Sequence, residues 1–163
     1  MDKSRRGLLI LESLAAMLFI ATITRAAILQ DKNPLIGTWI ANIEKSKRHP
    51  NHLFKSARLR FTIADNVVTM TYSGVNASGV EENGTTVFNA DGKEHPLAAL
   101  KGAVEVSRWV NAQKLQTVVT QNGKVIGEST FEVSADGKTL TATIKGVDES
   151  GANFEQIIVC DRE

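Results

Sequence analysis

The sequence predicts an all-β protein: an antiparallel, up-and-down β-barrel of roughly eight to ten strands, preceded by an N-terminal signal helix. Three observations predict it. Turn signals recur at short intervals, at Asp65-Asn66, Asn76 to Gly79, Asp91-Gly92, Asn122-Gly123, Asp136-Gly137 and Ser150-Gly151. These sequences accept positive φ or tight hairpin geometry. The stretches between them are rich in Thr, Val, Ile and Phe, residues that suit a pleated, half-buried surface. The three prolines, Pro34, Pro50 and Pro96, fall outside the long stretches, as ladder hydrogen bonding requires.

The leader comes first along the chain. Lys3, Arg5 and Arg6 precede a mostly apolar run from Gly7 to Ile23, and Thr24-Arg25-Ala26 places small residues at both ends of a three-residue step. That is the order of a secretory signal peptide. With about 17 residues and Glu12 inside it, the run is short for a membrane span. Residues 1–26 are therefore expected to be a cleaved signal, leaving a secreted or periplasmic domain at 33–163. A retained anchor, with Arg25 as stop-transfer charge, and a cytoplasmic amphipathic leader are the alternatives. No cysteine follows the run closely, which excludes a lipoprotein anchor.

Strands follow at about 36–43, 56–64, 67–75, 80–89, 103–110, 113–121, 124–134, 138–147 and 152–160, with a short one at 93–96. Pro50 interrupts 44–55, which predicts a loop or a single helical turn there, and 97–102 reads as a second loop. Alternation assigns faces. Leu59, Phe61 and Ile63 oppose Arg58, Arg60 and Thr62, and Leu140, Ala142 and Ile144 oppose Thr139, Thr141 and Thr143. Val125, Gly127, Ser129, Phe131 and Val133 share a third such face. One apolar face per strand means antiparallel pairing around a single core. Short links favour neighbouring strands, and closure of such a sheet removes its exposed edges.

Composition limits the function. The chain has 163 residues, 42% hydrophobic and 23% charged, which is ordinary globular usage. Nineteen basic and 18 acidic residues leave a net charge of +1, and without the leader it becomes −1. Neither value resembles the clustered excess of Lys and Arg that nucleic acid demands. A single cysteine, Cys160, forbids an intrachain disulfide and a cysteine-based zinc cluster.

At Leu35-Ile36-Gly37-Thr38-Trp39 the first mature strand begins with a Gly-x-Trp motif. Followed by a strand meander, it resembles the lipocalin-like (calycin) superfamily, and most of all its small secreted bacterial domains. Ile43-Glu44-Lys45-Ser46-Lys47 and Ala135-Asp136-Gly137-Lys138-Thr139-Leu140-Thr141 fit the same picture. The resemblance spans roughly residues 33–163. It implies that Gly37 and Trp39 are structural, closing one barrel end. It also implies a small hydrophobic or amphipathic ligand in the interior. Specific branches lose their key residues. The 44–55 segment is too short for the helical lid of fatty-acid-binding relatives, and the last strand lacks their Arg-x-Tyr pair. Trp39 and Trp109 are too few for an avidin-like pocket, and the last histidine, His95, lies too early for a haem ligand.

The remaining chemistry candidates are weak. His49, His52 and His95 lack an acidic motif at ligand spacing, so solvated loop histidines are expected rather than a metal site. There is no Gly-x-Ser-x-Gly elbow, and Cys160 has no histidine nearby in sequence. Glu81 and Glu82, as strand neighbours, point to opposite faces. Asn76-Ala77-Ser78 and Asn83-Gly84-Thr85 are sequons. No enzyme and no cofactor is expected.

Arg108 is the sharpest feature. If Val104, Val106 and Val110 face inward, Arg108 enters the barrel with them. A buried guanidinium must be paired. It is expected either to bind a ligand carboxylate or phosphate, or to pair internally, with a glutamate or stacked on Trp39. Phe61, Met70, Tyr72, Phe88 and Phe131 fall on inward faces and complete the candidate ligand site. The expected function is an exported, monomeric barrel that carries a small hydrophobic or amphipathic ligand, touching membrane only through an uncleaved leader. The alternative is an exported interaction or inhibitor barrel with a filled interior.

Overall fold

The structure is a computed structural model, described over residues 33–147 and 151–163. The expected signal helix at 1–26 lies outside those residues. Turn chemistry sets the chain into hairpins. Asp65 and Asn122 take positive φ (53° and 50°) at two of the predicted turns. At a third, Asp136 accepts from Ser134 Oγ at 2.6 Å and from the Lys138 amide at 3.1 Å. The Ser134 hydrogen bond holds the Asp136 carboxyl below the usual carboxylate range.

Between the turns run β1 (Gly37–Lys47), β2 (Phe54–Ala64), β3 (Val67–Asn76), β4 (Glu81–Asn89), β5 (Glu94–Pro96), β6 (Ala103–Asn111), β7 (Lys114–Gln121), β8 (Lys124–Val133), β9 (Thr139–Val147) and β10 (Asn153–Arg162). They form one antiparallel sheet in the order β4-β3-β2-β1-β10-β9-β8-β7-β6-β5. Nine of these strands lie close to where the sequence puts them, and β5 is the short tenth. Pro96 ends β5, an edge strand, where a missing ladder donor costs little. The ring is nearly closed: its two edges are β4 and β5, and β4 lies against β6.

Of the four register shifts among the described residues of the sheet, two bear on the inner face. β1 runs past its expected end because its pairing with β10 jumps from Asn42↔Val159 to Lys47↔Ile157. Ser46 fills the gap, donating to the Asn42 carbonyl at 2.6 Å and accepting from the Val159 amide at 3.0 Å. In β8 the pairing with β7 passes from Val119↔Gly127 to Thr120↔Val125, so Ile126 is an extra, bulged residue. Val125 consequently leaves the inner face and is 61% exposed.

The core fills one end of the barrel. Leu35, Trp39, Phe61, Val68, Leu115, Leu140 and Cys160 are fully buried there. Phe131 packs edge-on against Phe61 with ring centroids 5.3 Å apart, and against Phe88 at 5.6 Å. Each such aromatic contributes about 1.5–3 kcal/mol by leaving water. Burial also pushes the Cys160 thiol up to about 12, which keeps it protonated and inert.

Arg162 seals this closed end. Its guanidinium lies 4.0 Å over the Trp39 ring and donates to the carbonyls of Gly137 (2.6 Å), Ile36 (3.0 Å) and Pro34. Trp39 Nε1 donates to the Leu35 carbonyl at 3.0 Å. Gly37 is required beneath the arginine: its φ is +131°, and a Cβ there would sit 2.8 Å from Arg162 Nη1. Gly-x-Trp therefore reads as a seat for an arginine 123 residues after the tryptophan.

Candidate functional site

Register places the inner-face side chains in rows. Across β6 to β10, Ser107 lies opposite Thr117, Thr117 opposite Ser129, Ser129 opposite Ile144, and Ile144 opposite Gln156. One row nearer the closed end, the same pairings join Trp109, Leu115, Phe131, Ala142 and Ile158. A polar row thus lies directly above an apolar floor. Across β2 to β4 the inner face is different: Leu59, Tyr72 and Gly84 form one row, Phe61, Met70 and Thr86 the next. The Tyr72 ring lies over Gly84, where a Cβ would come within 2.4 Å of it.

Hydrogen bonds run along the polar row toward a carboxyl group. Ser107 Oγ donates to Glu105 Oε1 at 3.1 Å, and Ser107 and Thr117 share a hydrogen bond of 2.8 Å. With Ser107 donating to Glu105, Thr117 donates to Ser107. Glu105 is only 8% exposed. Burial pushes its carboxyl above the usual carboxylate range, opposed by the Ser107 hydrogen bond and by the charge of His95. His95 pairs with Glu105 across β5 and β6, and its Nε2 lies 2.9 Å from Asp91 Oδ1. That hydrogen bond holds the Asp91 carboxyl below its usual range. At the far side of the row, Gln156 is 9% exposed, and its Oε1 has no hydrogen-bond partner among the described residues.

The open end carries a small aromatic cluster. A 3-10 turn at Pro50–His52 follows β1, where the sequence predicts a loop or a single turn. It brings His49 and His52 onto Phe154, with ring centroids 5.3 Å and 5.0 Å away. A cavity of about 400 Å³ opens at this end of β8, β9 and β10, lined by Gly127, Gly146 and Phe154 among others. It lies beside the polar row, since Glu105, Ser107, Thr117 and Gln156 do not line it. Among the described residues no three His, Cys, Asp or Glu side chains gather as a metal site.

The sequence-predicted residues divide. Phe61, Phe88 and Phe131 are buried in the floor, and Met70 packs against it. Tyr72 is on the inner face higher up and is 39% exposed. Gly37 and Trp39 take the structural position that the resemblance implies. Arg108 does not enter the barrel. β6 turns the other way: Ala103, Glu105 and Ser107 are buried, while Arg108 and Val110 are exposed. The Arg108 guanidinium donates to Gln116 Oε1 on the outer face, from Nε at 3.2 Å and Nη2 at 3.0 Å. The arginine that stacks on Trp39 is Arg162. Sequence reasoning missed Glu105 and Gln156. Glu105 is the charged member of an alternating strand whose valines, Val104, Val106 and Val110, draw the inward reading to the opposite face.

Barrel, sealed end and lined interior together define a fold: a nearly closed, ten-stranded antiparallel β-barrel that resembles the calycin type. No family model matches the chain, and no curated protein matches it. Solved structures do. The chain is similar to the fluorescent protein UnaG, with 17% identity, a TM-score of 0.52, and 78% of this chain and 96% of that one covered. It is similar to a Schistosoma mansoni fatty acid binding protein in complex with arachidonic acid, at 14% identity and a TM-score of 0.51, covering 80% and 96%. It is also similar to the M. tuberculosis protein Rv2717c, at 14% identity and a TM-score of 0.50, covering 83% and 96%. At these identities what is shared is the fold.

Proposed function

We propose that this chain is an exported carrier that holds a small amphipathic ligand inside its barrel. The ligand's apolar part rests on the floor of Phe61, Phe88 and Phe131 and beside Met70 and Tyr72. Its polar end reaches the row from Ser107 to Gln156. The observation that carries the reading is Gln156 Oε1, a buried acceptor on the inner face with no partner among the described residues. A buried acceptor left open costs about 1–3 kcal/mol, so something must fill it. Ten strands also leave more interior than eight, which side chains alone can fill. The arachidonic acid in the Schistosoma mansoni barrel is a precedent for such an occupant. The reading assigns no catalysis to the chain and treats it as a monomer. Export rests on the composition of residues 1–26.

Native mass spectrometry of the full chain, purified from its own cells before and after organic extraction, tests the binding. We expect a bound mass that extraction removes, and uptake of Nile red by the emptied protein. One unchanged mass and no dye uptake would favour the filled barrel, with a water on Gln156. Fractionation with N-terminal sequencing tests export. A cytoplasmic protein retaining Met1 to Ala26 would overturn that part.

A further inference from the structure

We infer that the ligand's polar end is a hydrogen-bond donor, an amine on an apolar tail, and that the barrel disfavours carboxylates. The inference rests on the binding reading above and adds the chemical class.

Three features carry it. First, the groups left open on the inner face are acceptors. Gln156 Oε1 has no donor among the described residues. Glu105, almost fully buried, receives one hydrogen bond from Ser107 and can accept more. Second, the described inner face carries no Lys or Arg to meet an acid; its base, His95, already faces Glu105 and is held by Asp91. By register the inward positions of β6 are Ala103, Glu105, Ser107 and Trp109; those of β7 are Leu115, Thr117, Val119 and Gln121. On β8 to β10 the positions that continue these rows, from Gly127 to Cys160, include no Lys or Arg. The same holds for the rows of β2 to β4. Third, the arginines at the two ends are already engaged. Arg162 is held over Trp39 by three backbone carbonyls. Arg48, at the open end, lies over the Phe54 ring and donates to the Phe54 carbonyl at 2.6 Å.

The chemistry follows. A carboxylate ligand would bring a second negative charge beside Glu105, with no Lys or Arg there and with His95 already shared between Glu105 and Asp91, and like charges in a buried site are costly. An ammonium does the reverse. It gives Glu105 a charge-assisted hydrogen bond, and its three donors suit a row of acceptors. It also gives a buried carboxylate, faced by His95 alone across the strand pair, a direct ion-pair partner. The Ser107 and Thr117 hydroxyls, already oriented by each other, fix the approach to Glu105.

The test uses the full chain with Nile red in the barrel, displaced by decylamine, decanol or decanoate below their aggregation concentrations. These share an apolar tail and differ in the head. We expect decylamine to displace the dye at a concentration about tenfold lower than decanoate, a difference of about 1.4 kcal/mol. In Glu105→Gln that advantage should shrink to less than about threefold. The variant removes a buried acid and keeps the shape, so it should fold, and a thermal melt verifies this. Gln156→Leu should weaken decylamine about two- to fivefold, within the range of one lost hydrogen bond. It carries the test should Glu105→Gln fail to fold. Equal or stronger displacement by decanoate overturns the inference and leaves the carrier reading standing. So does an amine preference that survives in both variants. Absence of dye uptake sinks both.

Discussion

At the closed end, Trp39 and Arg162 give their donors to backbone carbonyls of Leu35, Pro34, Ile36 and Gly137. Three rows away along β10, the line from Ser107 to Gln156 leaves a buried acceptor with no donor among the described residues. The buried Trp39 indole N–H and the exposed Arg162 guanidinium are both fully engaged, whereas the buried Gln156 oxygen is not. A satisfied network fixes one arrangement, whereas an unsatisfied one waits for a partner. Among the described residues, the hydrogen bonding of this barrel is complete at one end and open at one atom in the middle.

The sealed end should show the largest effects. Trp39→Ala should cost about 3–5 kcal/mol, since it empties a fully buried aromatic site. Urea unfolding measures it, and a loss below about 1 kcal/mol would show that the seal is not what holds the barrel. Gly37→Ala should cost about 1–3 kcal/mol, because it strains a φ of +131° and pushes Arg162 off the ring. Its signature is lowered stability together with a changed Trp39 fluorescence. Arg162→Met should reproduce the fluorescence change without the backbone strain.

The polar row should behave in the opposite sense. Glu105 has its pKa raised in the fold, mainly by burial. The folded state therefore disfavours the ionised form. The penalty is absent at pH below the ordinary value of 4.5 and grows as pH rises through the folded pKa. Glu105→Gln should accordingly raise Tm of the ligand-free protein at neutral pH, and the gain should fade on acidification. His95 faces Glu105 and its charge opposes the shift, so the same titration in His95→Gln separates the two groups. A Tm gain that persists unchanged below pH 4 would mean packing, not ionisation, was at work. The smallest effect is expected at Arg108→Met: within about 0.5 kcal/mol of wild type, because its contacts are exposed. Nile red uptake should not change either. Loss of uptake would return Arg108 to the binding site.

The sequence made the barrel legible and half of its lining illegible, for one reason. Alternation reveals a strand's inner face only when that face is apolar. On β2 it is, and Leu59, Phe61 and Ile63 fall inside as expected. On β6 the inner face carries Glu105 and Ser107, while Val104, Val106 and Val110 line the outside, so the same rule points the wrong way. The failure marks the strand whose interior is polar. The β8 bulge is a similar case. Nothing in the run from Lys124 to Val133 announces that Ile126 is an extra residue, yet it takes Val125 out of phase. The Trp39–Arg162 stack was out of reach for a different cause: it joins two strands at opposite ends of the domain, and local pattern carries no such information.

The pairing of β1 with β10 has a consequence in time. Trp39 finds its Arg162 lid, and β1 its second neighbour, only after every intervening strand has been synthesised. The sequence separation of this closing contact makes folding slow, as for other barrels dominated by non-local pairing. During synthesis the nascent chain can build hairpins, one after another, but it cannot close the ring. A polypeptide that cannot close before its last strand emerges remains threadable, and a protein bound for translocation across a membrane would profit from that delay.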